Sequence, residues 1–431
     1  MKVTPEWRVY LLGAVLSAAL TVSSRKFGDR GGPYFMAALV VAGIAYLLAI
    51  REFFATPQFA RSVSRRVVVI GLVLAAVWHI EFLRLPPGAD DDIHRYVWDG
   101  HLQRLGYNPY VVVPSDPAVE GLHTPETRSL NNPDLPSPYP AGAQLFFRGI
   151  TAIQESTFAL KVAFALCELA IVLILLNLLH RKQRAYLVLA FAWNPLLAIE
   201  VAGSGHVDIV VALLLLVSVA ALVRRWRAAA AVALGLAIAV KFLPVVLLPL
   251  YWKRVRIRDA ALAAAIVVLL YVPFLNHGRI PVGSLGTYVR TFRFNGPVFA
   301  TLDRVAPPQL LAVLAVLAGL VTAIWLRRSA PEWSLDQFAW PMTASLLCAP
   351  VIFPWYLLAL LPFLTSASTL LIIIWTVSII PTYVQWHLRA LGRPWGALPV
   401  WVMVLEYGCV AIAAAILVLR RRSHESLRPH P

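Results

Sequence analysis

The stretch VVVIGLVLAAVWHIEFLRLPPGADDDIHRYVWDGHLQRLGYNPY, residues 67–110, joins an apolar run to the most polar and patterned part of the chain. Residues 67–85 are long enough to cross a hydrocarbon core of about 30 Å at 1.5 Å per residue. Asp90, Asp91 and Asp92 follow after one short loop. With only 22 acidic residues among 431, a triplet at the mouth of a spanning helix calls for a chemical reason. A base poised at the bilayer surface is the first candidate.

Outward from this stretch, apolar runs recur near 8–24, 33–50, 158–179, 185–202, 207–223, 259–275, 308–326 and 399–419. Residues 228–252 and 336–384 are also apolar but carry internal prolines (Pro244, Pro249; Pro350, Pro354, Pro362), so each is read as short, broken or hairpin helices. The expected fold is an all-α polytopic membrane protein of about 11–14 transmembrane helices. Composition agrees: 59% of residues are hydrophobic and 14% charged, against roughly a quarter charged in a soluble domain, and the mean hydropathy is +0.72. No soluble domain is left over.

Basic clusters orient the chain: Arg61, Arg65 and Arg66; Arg181, Lys182 and Arg184; Arg224, Arg225 and Arg227; Lys253, Arg254, Arg256 and Arg258; Arg327 and Arg328; Arg420, Arg421 and Arg422. The positive-inside rule makes them cytoplasmic. This works only if 228–252 is a hairpin, and it leaves both termini inside. Loops 86–157 and 276–307 and the turn 203–206 then face outward. The net charge of +16 is accounted for by these inner clusters against anionic lipid, so membrane lipids are expected partners and nucleic acid is not. Cys167, Cys348 and Cys409 lie in apolar spans without CxxC spacing, which implies neither disulfide nor zinc. The first span follows residues 1–8 with no small-residue cleavage site and is expected to remain as an anchor.

Within the first outer loop, Asp91, Arg95 and Asp99 fall at i, i+4 and i+8, one face of a short interfacial helix. A turn over 106–110 and a proline-rich stretch ending at Tyr139 and Pro140 lead to a second interfacial helix over 141–154, with Gln144 near its start. Two juxtamembrane helices thus roof an outward cavity. Lys241 sits at the tip of the expected hairpin, where an ammonium is costly. Arg290 and Arg293, with His277 and Arg279 nearby, add positive charge to the second loop; His206 and Asp208 occupy an outward turn after Asn194 and Glu200. Trp355 and Tyr356 are assigned to the interfacial aromatic belt rather than to a sugar-stacking surface.

The ordered segments DDIHRYVWDG, GYNPY, PSPYPAGAQLFF, AFAWNP, GSGHVD, KFLPVVLLPL and FPWYLLALLPFL resemble those of the GT-C superfamily of integral-membrane glycosyltransferases. They are most similar to bacterial polyprenyl-phosphate-mannose-dependent mannosyltransferases and distantly similar to the catalytic subunit of the eukaryotic GPI mannosyltransferase. The resemblance spans 67–365 and implies three parts: an N-terminal hairpin and cytoplasmic loop (1–66), a GT-C-like catalytic module (67–365) and C-terminal helices with a basic tail (366–431). It implies an inverting transfer of a sugar, mannose by resemblance alone, from a polyprenyl-phosphate donor to a glycolipid or polysaccharide acceptor outside a bacterial plasma membrane. The family's carboxylate base maps to Asp91 or Asp92, with Asp91 slightly preferred. The expected substrate-binding residues are Asp90, Arg95, Asp99, Tyr139, Gln144, His206, Asp208, Lys241, Arg290 and Arg293. One departure stands out: the acidic loop follows the third span where many relatives have it after the first, so the first hairpin reads as an addition.

Asp90 and Asp92 also have DxD spacing, and hard carboxylates suit Mg or Mn. Without a nucleotide-binding domain, no metal or other cofactor enters the expected site. The competing class is a transporter or flippase with a midplane site between repeated halves. The absence of a visible repeat, and a polar cluster that lies outside the apolar spans, argue for an enzyme.

Overall fold

The computed structural model describes residues 6–54, 63–88, 91–181, 183–275, 281–329, 334–396 and 398–426. Among these, eight helices are long and apolar enough to cross a membrane, or nine if the bent pair Ala185–Ala192 and Leu197–Gly203 is one span. The eight are α1 (Trp7–Arg25), α2 (Pro33–Phe54), α3 (Arg65–Leu83) and, further on, Thr157–His180, Ile257–Phe274, Pro308–Ser329, Ala367–Ala390 and Val400–Leu419. Among the described residues no strand forms beyond an isolated bridge between Phe294 and Val351. The bend of 66° in the broken pair falls at Pro195, which cannot donate to the preceding turn. Asn194 Oδ1 takes the Leu196 N–H there, and its amide donates to Thr376 Oγ1 at 2.9 Å.

Both proline-rich regions contain a hairpin, and after the second one 336–384 runs on into the apolar helix Ala367–Ala390. Helix Arg227–Val240 rises to Lys241, and the 3-10 segment Leu243–Tyr251 returns. Prolines 244 and 249 explain why the return arm winds as 3-10 turns rather than a full α-helix. The second hairpin pairs Ala339–Leu347 with Pro354–Ala359 and Leu361–Phe363. Its two feet meet where the Ser366 and Ser368 hydroxyls donate to Asp336. Arg327 donates to the Trp252 carbonyl at 3.2 Å, which puts two of the basic clusters at that same end of the bundle.

The opposite end carries the loop 84–156. Helix α4 (Asp92–Arg104) lies against α5 (Ala141–Ile153): Tyr96 stacks on Phe147 with centroids 4.4 Å apart, and Gly100 admits Thr151, whose Oγ1 would stand 2.4 Å from any Cβ. This helix, expected to lie at the interface, is covered on all sides, since every residue from Ile93 to Gly100 is buried. Helix α5 keeps an amphipathic character, with Ile153 exposed. The N-terminal hairpin is packed into the bundle. Phe27, in the α1–α2 connection, meets Phe82 edge-on at 5.6 Å, and Tyr46 donates to the Ala190 carbonyl at 2.7 Å.

Candidate active site

Helix α4 begins at Asp92, and Asp91 is its N-cap residue in extended backbone geometry. Two consecutive carboxylates therefore leave the chain in different directions. Asp91, buried, pairs through Oδ1 with Arg30 Nη2 at 2.8 Å and takes the Gly88 N–H on Oδ2 at 2.7 Å. Asp92 is half-buried and its Oδ1 accepts from Asn131 Nδ2 at 2.6 Å.

These carboxylates stand at one side of a cavity of 440 Å³. The first outer loop contributes Arg95, Asn131 and Tyr139; the turn 204–207 contributes His206; the hairpin tip contributes Lys241; and the second hairpin contributes Trp355 and Tyr356. Gly205, with φ of +77°, makes this turn possible, and a Cβ there would lie 2.4 Å from Ile93 Cδ1. The turn directs His206 Nδ1 to the Glu200 carboxylate at 2.8 Å, while the ring lies flat on Trp355. Among the described residues, His206 Nε2 has no hydrogen-bond partner. Burial disfavours the imidazolium, but the Glu200 carboxylate, with Asp92 and Asp91 further away, outweighs it and raises the His206 pKa above that of an ordinary histidine.

Lys241 Nζ pairs with Asp208 and sits 3.7 Å from the centroid of the Tyr356 ring. The Tyr356 hydroxyl shares a 2.5 Å hydrogen bond with Tyr288. Burial, followed by the nearby Asp92 charge, holds the Tyr139 phenol well above its usual range, so it remains a neutral hydroxyl. Phe242, Leu243 and Val289 give the cavity an apolar flank beside Lys241.

The structure thus gathers Asp91, Asp92, Arg95, Tyr139, His206, Asp208 and Lys241 around one cavity. It puts Asp99 and Gln144 behind the wall. Asp99 takes Arg95 Nε at 2.9 Å and Gln144 Nε2 at 2.8 Å, together with the Ser137 hydroxyl, and all of these are buried. This is a self-satisfied network that supports α4 against the loop. Arg293 is tied to Asp303 at 2.7 Å and Arg290 is exposed; neither lines the cavity. Asp90, His277 and Arg279 lie outside the described residues.

Several participants escaped the sequence reading. Asn131 and Tyr288 sit in loop sequence without a pattern, and Arg389 and Trp386 line the cavity from a segment treated only as C-terminal helix. Trp355 and Tyr356, assigned to the aromatic belt, form the cavity wall instead. Their one legible signal was the preceding Pro354 in a region already read as broken. Arg30 is the most distant addition in sequence, coming from the connection of the N-terminal hairpin.

A family profile described as "Alpha-(1->6)-mannopyranosyltransferase, N-terminal domain" matches residues 10–255. A comparison with curated protein sequences finds no match. Among solved structures, the chain is similar to ArnT from Cupriavidus metallidurans bound to undecaprenyl phosphate, with 18% identity and a TM-score of 0.47; the likeness covers 83% of this chain and 73% of that one.

Proposed function

The chain belongs to the alpha-(1->6)-mannopyranosyltransferase family and is a multi-pass membrane glycosyltransferase; from that premise we propose that it moves mannose from a polyprenyl-phosphate donor to a hydroxyl of a glycolipid or polysaccharide. The observation that carries the reading is the division of labour between the two carboxylates. Both line the cavity, but Asp91 has each of its oxygens engaged, one by Arg30 and one by the Gly88 N–H, whereas Asp92 carries Asn131 on one oxygen. Asp92 is therefore the general base, in place of the Asp91 preferred from sequence.

Asp92 takes the proton of the acceptor hydroxyl as that oxygen attacks the anomeric carbon. The bond from that carbon to the phosphate oxygen breaks on the opposite face, so configuration inverts through an oxocarbenium-like transition state. The electron pair leaves with the lipid phosphate, which needs little protonation; one carboxylate suffices. Lys241 and the Nε2–H of His206 supply donors for the growing phosphate charge. The apolar flank at Phe242, Leu243 and Val289 suits the first isoprene units. A volume of 440 Å³ fits a hexose and its phosphate, while the lipid tail remains in the bilayer. The basic clusters at the far end of the bundle support an outward-facing site by the positive-inside rule.

The test is transfer of radiolabel from polyprenyl-phosphate-mannose in membranes containing the chain, beside Asp92→Asn and Asp91→Asn. The reading expects label in a lipid or polymer fraction, abolished by Asp92→Asn. Transfer from a glucose or arabinose donor in place of mannose would replace the sugar and keep the mechanism. Full activity of Asp92→Asn would remove the base.

A further inference from the structure

We propose that Arg30, carried by the N-terminal hairpin, is a positioning residue of the transfer reaction: it takes up the charge of Asp91 so that Asp92 alone is presented to the acceptor. The inference rests on the assignment of Asp92 as base and extends it to a segment that the sequence reading treated as an addition.

Arg30 is 6% exposed and Asp91 3%, which makes this a buried ion pair. The guanidinium is held on several sides. Its Nη1 donates to Ser204 Oγ at 2.7 Å, two residues before His206, and its plane lies over Phe27 at 4.9 Å and over Trp386 at 5.7 Å. Apart from Phe27 in its own connection, the contacts come from three separate parts of the chain, so the side chain acts as a fixed post between the acidic loop, the 204–207 turn and the segment that carries Arg389. Such a group does not move to follow a substrate. Arg30 does not line the cavity itself, and so it acts through Asp91.

The charges around the pair define what removing Arg30 does. Asp91 has Lys161 on its other side, but that ammonium is committed to the Phe82 carbonyl at 3.1 Å and the Leu85 carbonyl at 2.6 Å. Glu200 and Tyr383 face Arg30 from the broken helix and the C-terminal segment, and His206 lies within electrostatic reach of Asp91. Asp29 is engaged by His387. Without Arg30, Asp91 becomes a second, uncompensated carboxylate next to Asp92, and two adjacent carboxylates resist being ionised together. The base then needs a higher pH to be ready. Without Asp91, the unmatched guanidinium does the reverse and eases ionisation of Asp92.

The experiment measures kcat and donor KM against pH for Arg30→Gln, Arg30→Lys, Asp91→Asn and the double variant Arg30→Gln/Asp91→Asn, each purified as full chain in detergent and checked for monodispersity. The acid limb of kcat, where Asp92 gains its proton, moves to higher pH in Arg30→Gln by on the order of one unit. It moves to lower pH in Asp91→Asn, stays in place in Arg30→Lys, and returns to the wild-type position in the double variant. Below the limb, Arg30→Gln loses up to about 10-fold in kcat, the limit that a one-unit shift allows, with donor KM changed far less, and the double variant recovers at least part of that loss. An unmoved acid limb in Arg30→Gln, or losses in the two single variants that simply multiply in the double one, would overturn the proposal. A purely structural Arg30 would lower yield without shifting the limb. Activity surviving in Asp92→Asn would instead remove the base on which the inference rests.

Discussion

The imidazole of His206 lies flat against the indole of Trp355, with ring centroids 4.0 Å apart and planes 8° from parallel. Its Nδ1 is held by Glu200, which also accepts from the Tyr383 hydroxyl, so stacking and hydrogen bonding together fix the direction of Nε2.

This arrangement predicts a pH dependence of stability. Because the folded-state pKa of His206 is raised above 6.5, the pair with Glu200 stabilises the fold fully below that value, and the contribution is lost as pH rises through the folded value. The melting temperature of the wild type in detergent should fall over that interval relative to His206→Gln. Parallel curves for the two proteins would contradict it.

The neighbouring carboxylates should separate activity from stability. Asp92→Asn is expected to lower transfer by about 10²–10⁴-fold, the usual worth of a general base, with little change in melting temperature. Asp91→Asn leaves Arg30 buried without its counter-ion and should cost stability on the order of 3–5 kcal/mol. Denaturation and transfer assays on both variants check this, and the same profile in each would refute the division of roles.

Lys241 offers a test of the phosphate side. Lys241→Met removes one charge-assisted contact, worth roughly 1.5–3 kcal/mol, and should raise donor KM about 10–100-fold. Acceptor KM should change little. Equal effects on both substrates would mean that Lys241 supports the hairpin tip through Asp208 and does not meet the donor.

Gly205→Ala should destabilise through backbone and packing together. The residue has φ of +77° and its new Cβ would meet Ile93 Cδ1 at 2.4 Å, in the helix that begins with Asp92. A loss of about 1–3 kcal/mol is expected, with transfer reduced because both His206 and α4 are displaced. A melting temperature equal to wild type would show that the turn yields without cost.

The sequence by itself determined that the chain crosses a membrane many times, that prolines break 228–252 and 336–384 into short or hairpin helices, and that the polar loop 86–157 collects at the end opposite the basic clusters. Each of these is a local property: apolar length, proline position and charge bias act on consecutive residues. The same locality located seven cavity residues, from Asp91 to Lys241, because polar groups beside spanning helices are costly and few. Tertiary structure alone decided how they are used. Asp91 and Asp92 are adjacent in sequence and both line the cavity, yet the change from extended cap to helix ties one to Arg30 and turns the other to Asn131. Asp99 and Gln144 look equally available in sequence, but α4 and α5 turn them toward Ser137 and away from the cavity. The Arg30 contact with Ser204 joins positions 174 residues apart. No periodicity encodes such a pairing, since it depends on which helices pack together and not on the residues beside either partner.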